Sequence, residues 1–275
     1  MWVELLRYVP LSFLSWCVGR LANLRLPQPL ASWTIRIFAR AYGIDPLLAT
    51  RPLEEFHSIG EFFTRDLEPR HRPTMGSCVF PVDGTLRHVC DIEGKDPLPQ
   101  VKGRTYSLSQ LLAHDPLVSR FSSGQVWNMY LSPKDAHHIY APLAGRIIKT
   151  VYVPGALWPV NDWALRTVDG LFATNERIIS FLETEQGLIA VVMVGATNVG
   201  AISLAYCDLE TNKTPWKQAQ SAVYQHATPR EVSCGEKIGT FKMGSSVVMI
   251  AERPLVEQRA LSAFPRSICY GQALA

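Results

Sequence analysis

The sequence predicts an α+β protein whose mainly antiparallel β body, a barrel or a sandwich, follows N-terminal amphipathic helices. Three observations predict it. From Val79 onward, short β-branched and apolar runs alternate with Gly and Pro turns, the pattern of antiparallel sheets rather than of βαβ units. The first 50 residues differ in kind, with five Arg (Arg7, Arg20, Arg25, Arg36, Arg40), no Lys, two acids (Glu4, Asp45) and three of the seven Trp (Trp2, Trp16, Trp33). The 275 residues, 47% hydrophobic and 19% charged, can bury a sizeable core, which excludes a mainly disordered chain.

The N-terminal region is set at residues 1–60 and the body at residues 61–275. The longest uncharged run of the front end, residues 8–19, is interrupted by Pro10 and is shorter than the roughly 20 apolar residues a spanning helix needs. A signal peptide is disfavoured, because no small-x-small site follows the run and Arg20 and Arg25 come directly after it. Residues 32–42 read as a helix that stops at Gly43. Trp33, Ile37 and Ala41 recur on one side and Arg36 and Arg40 on another, the composition of a helix lying in a membrane interface. A helical pair packed on the body fits the same pattern.

In the body, strands are expected at residues 79–82, 127–131, 147–153, 188–194, 199–205 and 247–251, with one helix at 107–114 capped by Ser107. Residues 68–73 read as exposed connecting chain. The segments beginning at Pro81 and Pro142 share P-x-x-G-x-aliphatic, two similar corners that would suit a pseudo-symmetric barrel. A net charge of +3, with no dense Lys/Arg stripe, argues against a nucleic-acid partner. None of the six Cys forms C-x-x-C, so no zinc site or redox dithiol is expected, and their wide spacing reads as reduced thiols of a cytosol-facing protein.

Three places could carry chemistry. Asp83 precedes Gly84, and Asp-Gly between apolar runs is also an ordinary turn signal. His137, His138 and Tyr140 lie close to Asp135. In a strand, His137 and Ile139 share one face while His138 and Tyr140 share the other. That alternation disfavours a metal site and leaves one His as a proton-transfer group, against the plain alternative of a surface His pair. Residues 239–248 read as strand, Gly-Ser turn, strand, which is either an ordinary hairpin or a corner that cuts itself. In the second case the Ser245 hydroxyl attacks the Gly244 carbonyl, the peptide becomes an ester and elimination follows. Gly on the acyl side leaves that attack unobstructed.

Together these stretches resemble the phosphatidylserine decarboxylases, a family of pyruvoyl-dependent membrane-lipid enzymes. Phe241-Lys242-Met243-Gly244-Ser245-Ser246 is similar to the family's F-x-L-G-S-T cleavage motif, with Ser246 for Thr, and Pro81-Val82-Asp83-Gly84 to its P-x-D-G motif. Phe62-Phe63-Thr64-Arg65 with Arg72-Pro73 resembles its F-F-x-R…R-P stretch. So do Lys102-Gly103 with Tyr106-Ser107-Leu108, Tyr130-Leu131-Ser132-Pro133 with Asp135, Leu171-Phe172-Ala173 with Asn175-Glu176-Arg177, and Val194-Gly195-Ala196-Thr197 with Val199-Gly200. Seven stretches in order, from about residue 60 to residue 250, make the resemblance specific.

The resemblance implies scission between Gly244 and Ser245, a pyruvoyl group derived from Ser245, and catalytic roles for Ser245, Asp83 and His137. It implies a Schiff base between that group and the amine of phosphatidylserine, with release of CO2 and phosphatidylethanolamine. It further implies a heterodimer of the two chains after cleavage, a higher homo-oligomer, no metal, and a peripheral position on the cytoplasmic face of the cell membrane. The family's H-x-x-H is incomplete here: His137 holds the first position and Tyr140 the second, where the family places a His of the self-cleavage triad. A neutral Tyr is a poor base near pH 7, because its reference pKa is about 10. In this reading His137 works with Asp83 in cleavage and serves again in decarboxylation. The alternatives are a non-processing lipid-binding homologue at the membrane surface and a related decarboxylase acting on another serine-headgroup lipid.

Overall fold

A computed structural model describes residues 11–92, 98–101, 104–197, 201–212, 221–242, 245–257 and 264–274. Met243 and Gly244 of the expected cleavage motif, Lys102, Gly103, Val199, Gly200 and residues 1–10 lie outside them. The architecture is mixed α and β, and its sheets are antiparallel.

The front end folds as α1 (Leu11–Ala22) and α2 (Gln28–Tyr42). Pro27 sets the start of α2. Gly43, at φ 66°, ends it in the left-handed conformation that a side chain would disfavour. A short α3 (Ile59–Phe63) follows. Its cap is reciprocal: Ser58 Oγ accepts the Glu61 N–H at 3.1 Å while Glu61 Oε2 accepts the His57 N–H at 2.8 Å. Ala31, Ile35 and Ala39 of α2 are buried, and Ile35 and Ala39 share a small core with Phe56 and Phe62. The stripe read from the sequence therefore faces outward: Trp33 is 60% exposed and Ile37 47%. No helix among the described residues is long and apolar enough to cross a membrane.

The body holds strands β1 (Gly84–Asp91), β2 (Leu98–Val101), β3 (Arg104–Tyr106), β4 (Gln125–Leu131), β5 (His138–Tyr140), β6 (Gly145–Val153), β7 (Arg177–Thr184), β8 (Gly187–Val194), β9 (Ile202–Leu204), β10 (Ala222–Val232), β11 (Lys237–Phe241), β12 (Ser245–Ala251) and β13 (Arg266–Ile268). Helix α4 (Leu108–Leu111) is capped by Ser107 as expected but stops early, because Ala113 and His114 take positive φ. Helices α5 (Asp162–Thr167) and α6 (Leu171–Thr174) sit in the β6–β7 connection.

The main sheet has eight strands in the order β10-β6-β7-β8-β12-β4-β1-β13. It is open, which corrects the expected closed barrel: among the described residues β10 pairs only with β6 and β13 only with β1, so the two edges do not meet. Its central strands β8 and β12 are buried on both faces, hence their unbroken apolar runs. A second sheet, β5-β11-β9, stands apart. The expected strand at 79–82 is absent. Val79 makes one bridge to Ala273 and the chain then bends into β1. The two Pro-x-x-Gly corners run side by side, with the Val79 N–H on the Pro142 carbonyl at 2.9 Å, and lead into β1 and β6. Gly is required at both: a Cβ would lie 2.3 Å from the Tyr130 carbonyl oxygen at Gly84, and 2.3 Å from that of Glu183 at Gly145.

Candidate active site

The segment around the expected scission point is not a hairpin. Strand β11 belongs to the three-stranded sheet and β12 to the eight-stranded one, so residues 242–244 carry the chain from one sheet to the other. The pairing of each strand holds its end of this corner in place. Ser245 is the first residue of β12, opposite Leu131 of β4. Thr85 on β1 and Ser246 on β12 both pair with Tyr130, so the start of β1 after the Asp83–Gly84 bend sits two strand spacings, about 10 Å, from the head of β12.

Ser245 is fully buried and, among the described residues, its Oγ has no hydrogen-bond partner; the same holds for Ser246 Oγ on the other face of the strand. An unpaired buried hydroxyl costs on the order of 1–3 kcal/mol, and such orphans concentrate where a function needs them. Ser245 lines a cavity of about 200 Å³, shared with Phe38 and Tyr42 of α2, Phe63 of α3, Tyr130, and the chain at Pro159 and Thr197. A larger cleft of about 580 Å³ lies between α1 and the three-stranded sheet and is lined by Arg20, His138 and Lys242. The smaller cavity is the candidate site because Ser245 lines it.

His137 is wholly buried under Phe63, ring centroids 4.0 Å apart. Its Nδ1 lies 2.8 Å from the Asp135 carbonyl, which can only accept, so the proton sits on Nδ1 and Nε2 keeps a free lone pair. Burial pushes its pKa down to about 3, and the nearby Arg65 and His138 act in the same direction. His137 is thus neutral at ordinary pH. Arg65 is itself buried, donates to the Lys134 carbonyl at 2.8 Å, and is lowered to about 10 by burial against the pull of Asp83 and Asp135. An aromatic chain, Tyr42–Phe38–Phe63, connects α2 to His137.

His138 faces away, as the strand alternation requires. Its Nδ1 meets Thr240 Oγ1 at 2.9 Å and its Nε2 lies 3.2 Å from Asp66. Asp66 also binds Lys237 at 2.6 Å, and these two partners, His138 first, hold its carboxyl well below the usual range. His138 is therefore committed to structure. Tyr140 stacks on Tyr270, and burial together with that neighbour raises its pKa far above the usual phenol value.

Asp83 is buried and grips Arg72 with both oxygens: Arg72 Nε lies 3.0 Å from Oδ1 and Nη2 lies 2.8 Å from Oδ2. Oδ1 also accepts the Tyr270 N–H at 2.9 Å. The carboxylate in turn raises the pKa of Arg72. The Tyr140 N–H donates to the Pro81 carbonyl at 2.9 Å, which sets β5 beside the Asp83 segment. No hydrogen bond among the described residues joins Asp83, His137 and Ser245 to one another. Arg72, Tyr270 and Phe63 were not among the candidate site residues. Arg72 and Phe63 lie within a stretch already singled out, whereas Tyr270 carries no local signal, since 187 residues separate it from Asp83.

Residues 59–275 match the family described as phosphatidylserine decarboxylase. The chain is 42% identical over 255 residues to the phosphatidylserine decarboxylase proenzyme of Anaeromyxobacter sp. (strain K), covering 92% of this chain and 89% of the relative. It is 36% identical to the proenzyme of the same name from Myxococcus xanthus (strain DK1622), covering 91% and 89%, and 36% identical to that of Coxiella burnetii (strain RSA 493 / Nine Mile phase I), covering 98% and 95%. The chain belongs to the phosphatidylserine decarboxylase family.

Proposed function

We propose that this member of the family is a self-processing enzyme that converts phosphatidylserine to phosphatidylethanolamine and CO2, with a pyruvoyl group derived from Ser245. The observation that carries the reading is Ser245 at the head of β12, which lines a cavity, follows a Gly in sequence, and has a buried hydroxyl with no hydrogen-bond partner among the described residues. A group made from Ser245 fits there, because the residue already lies against space a small headgroup could occupy. A pyruvoyl group there would supply a ketone able to take up a substrate amine and to act as an electron sink.

The chain's own residues do the rest. His137 Nε2, with its lone pair free, is the base that takes a proton during scission; in each turnover the same atom takes the proton that the substrate ammonium sheds and delivers it to the substrate carbon after CO2 leaves. Its Nδ1–H, fixed on the Asp135 carbonyl, keeps the ring in the right tautomer. Asp83 and Arg72 hold the neighbouring corner in place. Residues 1–60 are the membrane-associating region. Leu30, Trp33 and Ile37 of α2 stand exposed for the acyl boundary, while Phe38 and Tyr42 of the same helix rim the cavity, so bilayer contact and substrate access belong to one element. The protein then works peripherally on the cytoplasmic face as an α/β heterodimer within a larger oligomer.

Intact mass of freshly purified protein tests the reading. The wild-type chain is expected to yield residues 1–244 and a blocked fragment of 31 residues, and Ser245→Ala a single uncut chain. One uncut wild-type chain that releases no CO2 from phosphatidylserine would sink it. That outcome would support the second reading, a non-processing lipid-binding homologue, which the burial of Tyr140 against Tyr270 favours because such a Tyr cannot act as a base.

A further inference from the structure

We infer that Asn175 is a positioning residue that fixes two neighbouring segments in the wall of the Ser245 cavity and so decides which amine-bearing headgroup it admits. The inference rests on the reading that this cavity takes the substrate headgroup.

Two chain segments wall the cavity, one at Pro159, Val160 and Asn161 and one at Ala196 and Thr197. The residue just before each segment, Trp158 or Gly195, is held by the same buried amide. Asn175 Oδ1 accepts the Trp158 N–H at 3.0 Å, while Nδ2 donates to the Trp158 carbonyl at 2.9 Å and to the Gly195 carbonyl at 2.8 Å. Asn175 is wholly buried and does not line the cavity itself. The two carbonyls fix which end of the amide is nitrogen. The main chain beside it repeats the link: the Glu176 N–H donates to Ala156 and the Gly195 N–H to Glu176, each at 2.8 Å. Thr197 Oγ1 also donates to the Leu157 carbonyl, which ties the two segments to each other directly. One side chain with three fixed bonds therefore registers both walls, and displacing it shifts them relative to Ser245.

The test begins with binding, which needs no pyruvoyl group. Full-length Ser245→Ala protein is titrated calorimetrically with glycerophosphoserine and with glycerophosphothreonine, which carries one more methyl. The reference is expected to prefer the serine ligand. Adding Asn175→Asp sets an acceptor against two carbonyls; it is expected to weaken serine binding about tenfold and to narrow the serine-over-threonine ratio. Adding Thr197→Val, a milder loosening of the same walls, should move the ratio the same way by about threefold. In the cleaved enzyme both changes should raise KM for phosphatidylserine more than they lower kcat. Unchanged ratios and unchanged KM in the folded variants would overturn the inference. Should Asn175→Asp fail to fold, Asn175→Ser, which keeps a hydroxyl for one of the three bonds, decides by the same readings. A Ser245→Ala reference that binds neither ligand overturns the reading of the cavity, and the inference with it. A reference that discriminates, with variants that discriminate equally, overturns the role of Asn175 only.

Discussion

Tyr140 lies flat on Tyr270, ring centroids 3.9 Å apart and planes inclined by 13°, and the N–H of Tyr270 is itself held by Asp83 at 2.9 Å. Tyr140 thus packs against the residue whose N–H Asp83 holds.

Tyr140→Phe should therefore leave scission unchanged, since the stack survives and only a hydroxyl is lost. Tyr140→His places an imidazole at this position and should split faster. Band intensities on a timed gel after synthesis check both. A Tyr140→Phe chain that stays whole would show the hydroxyl to be essential after all.

Asp83→Asn leaves the Arg72 guanidinium partly buried without its charge partner. Breaking a pair of this kind costs about 3 kcal/mol, so the urea midpoint should fall. Arg72→Lys should cost less but also lose the two-pronged grip. A double-mutant cycle over the two residues should give a coupling well above zero, and a coupling of zero would mean that the pair is incidental.

His137 is held neutral, with its pKa lowered to about 3 against an ordinary 6.5. Between these values the unfolded chain binds a proton that the folded chain does not. The His137 contribution to stability is therefore complete above pH 6.5 and is lost as pH falls toward 3. His137→Asn should flatten the stability–pH curve across that window and abolish decarboxylation. A wild-type scission rate that drops through pH 6.5, as a free imidazole would titrate, would contradict this account.

Trp33→Ser with Ile37→Ser removes apolar area from an exposed face. Folding stability should change by no more than about 0.5 kcal/mol, whereas co-sedimentation with anionic phospholipid vesicles should fall about tenfold or more. Salt should weaken the wild-type binding through Arg36 and Arg40, both exposed on the same helix. Undiminished vesicle binding by the double variant would remove α2 from the membrane surface.

Much of this protein is legible in its residues alone. Period and composition place the segments that become β4, β6, β8 and β12, Gly43 ends α2, Ser107 caps α4, and the ordered motifs identify the family. Strand alternation also puts His137 and His138 on opposite faces. These are local properties, each written within a few residues of chain. What the tertiary structure decided is which edges meet. It left the eight-stranded sheet open, assigned β11 and β12 to different sheets, turned Trp33 outward and Ile35 inward, and brought Arg72 and Tyr270 to Asp83 across 11 and 187 residues. Alternation fixes the face a side chain takes but not the strand beside it. Such contacts are settled only when distant segments compete to bury their apolar surface and to satisfy their backbone hydrogen bonds.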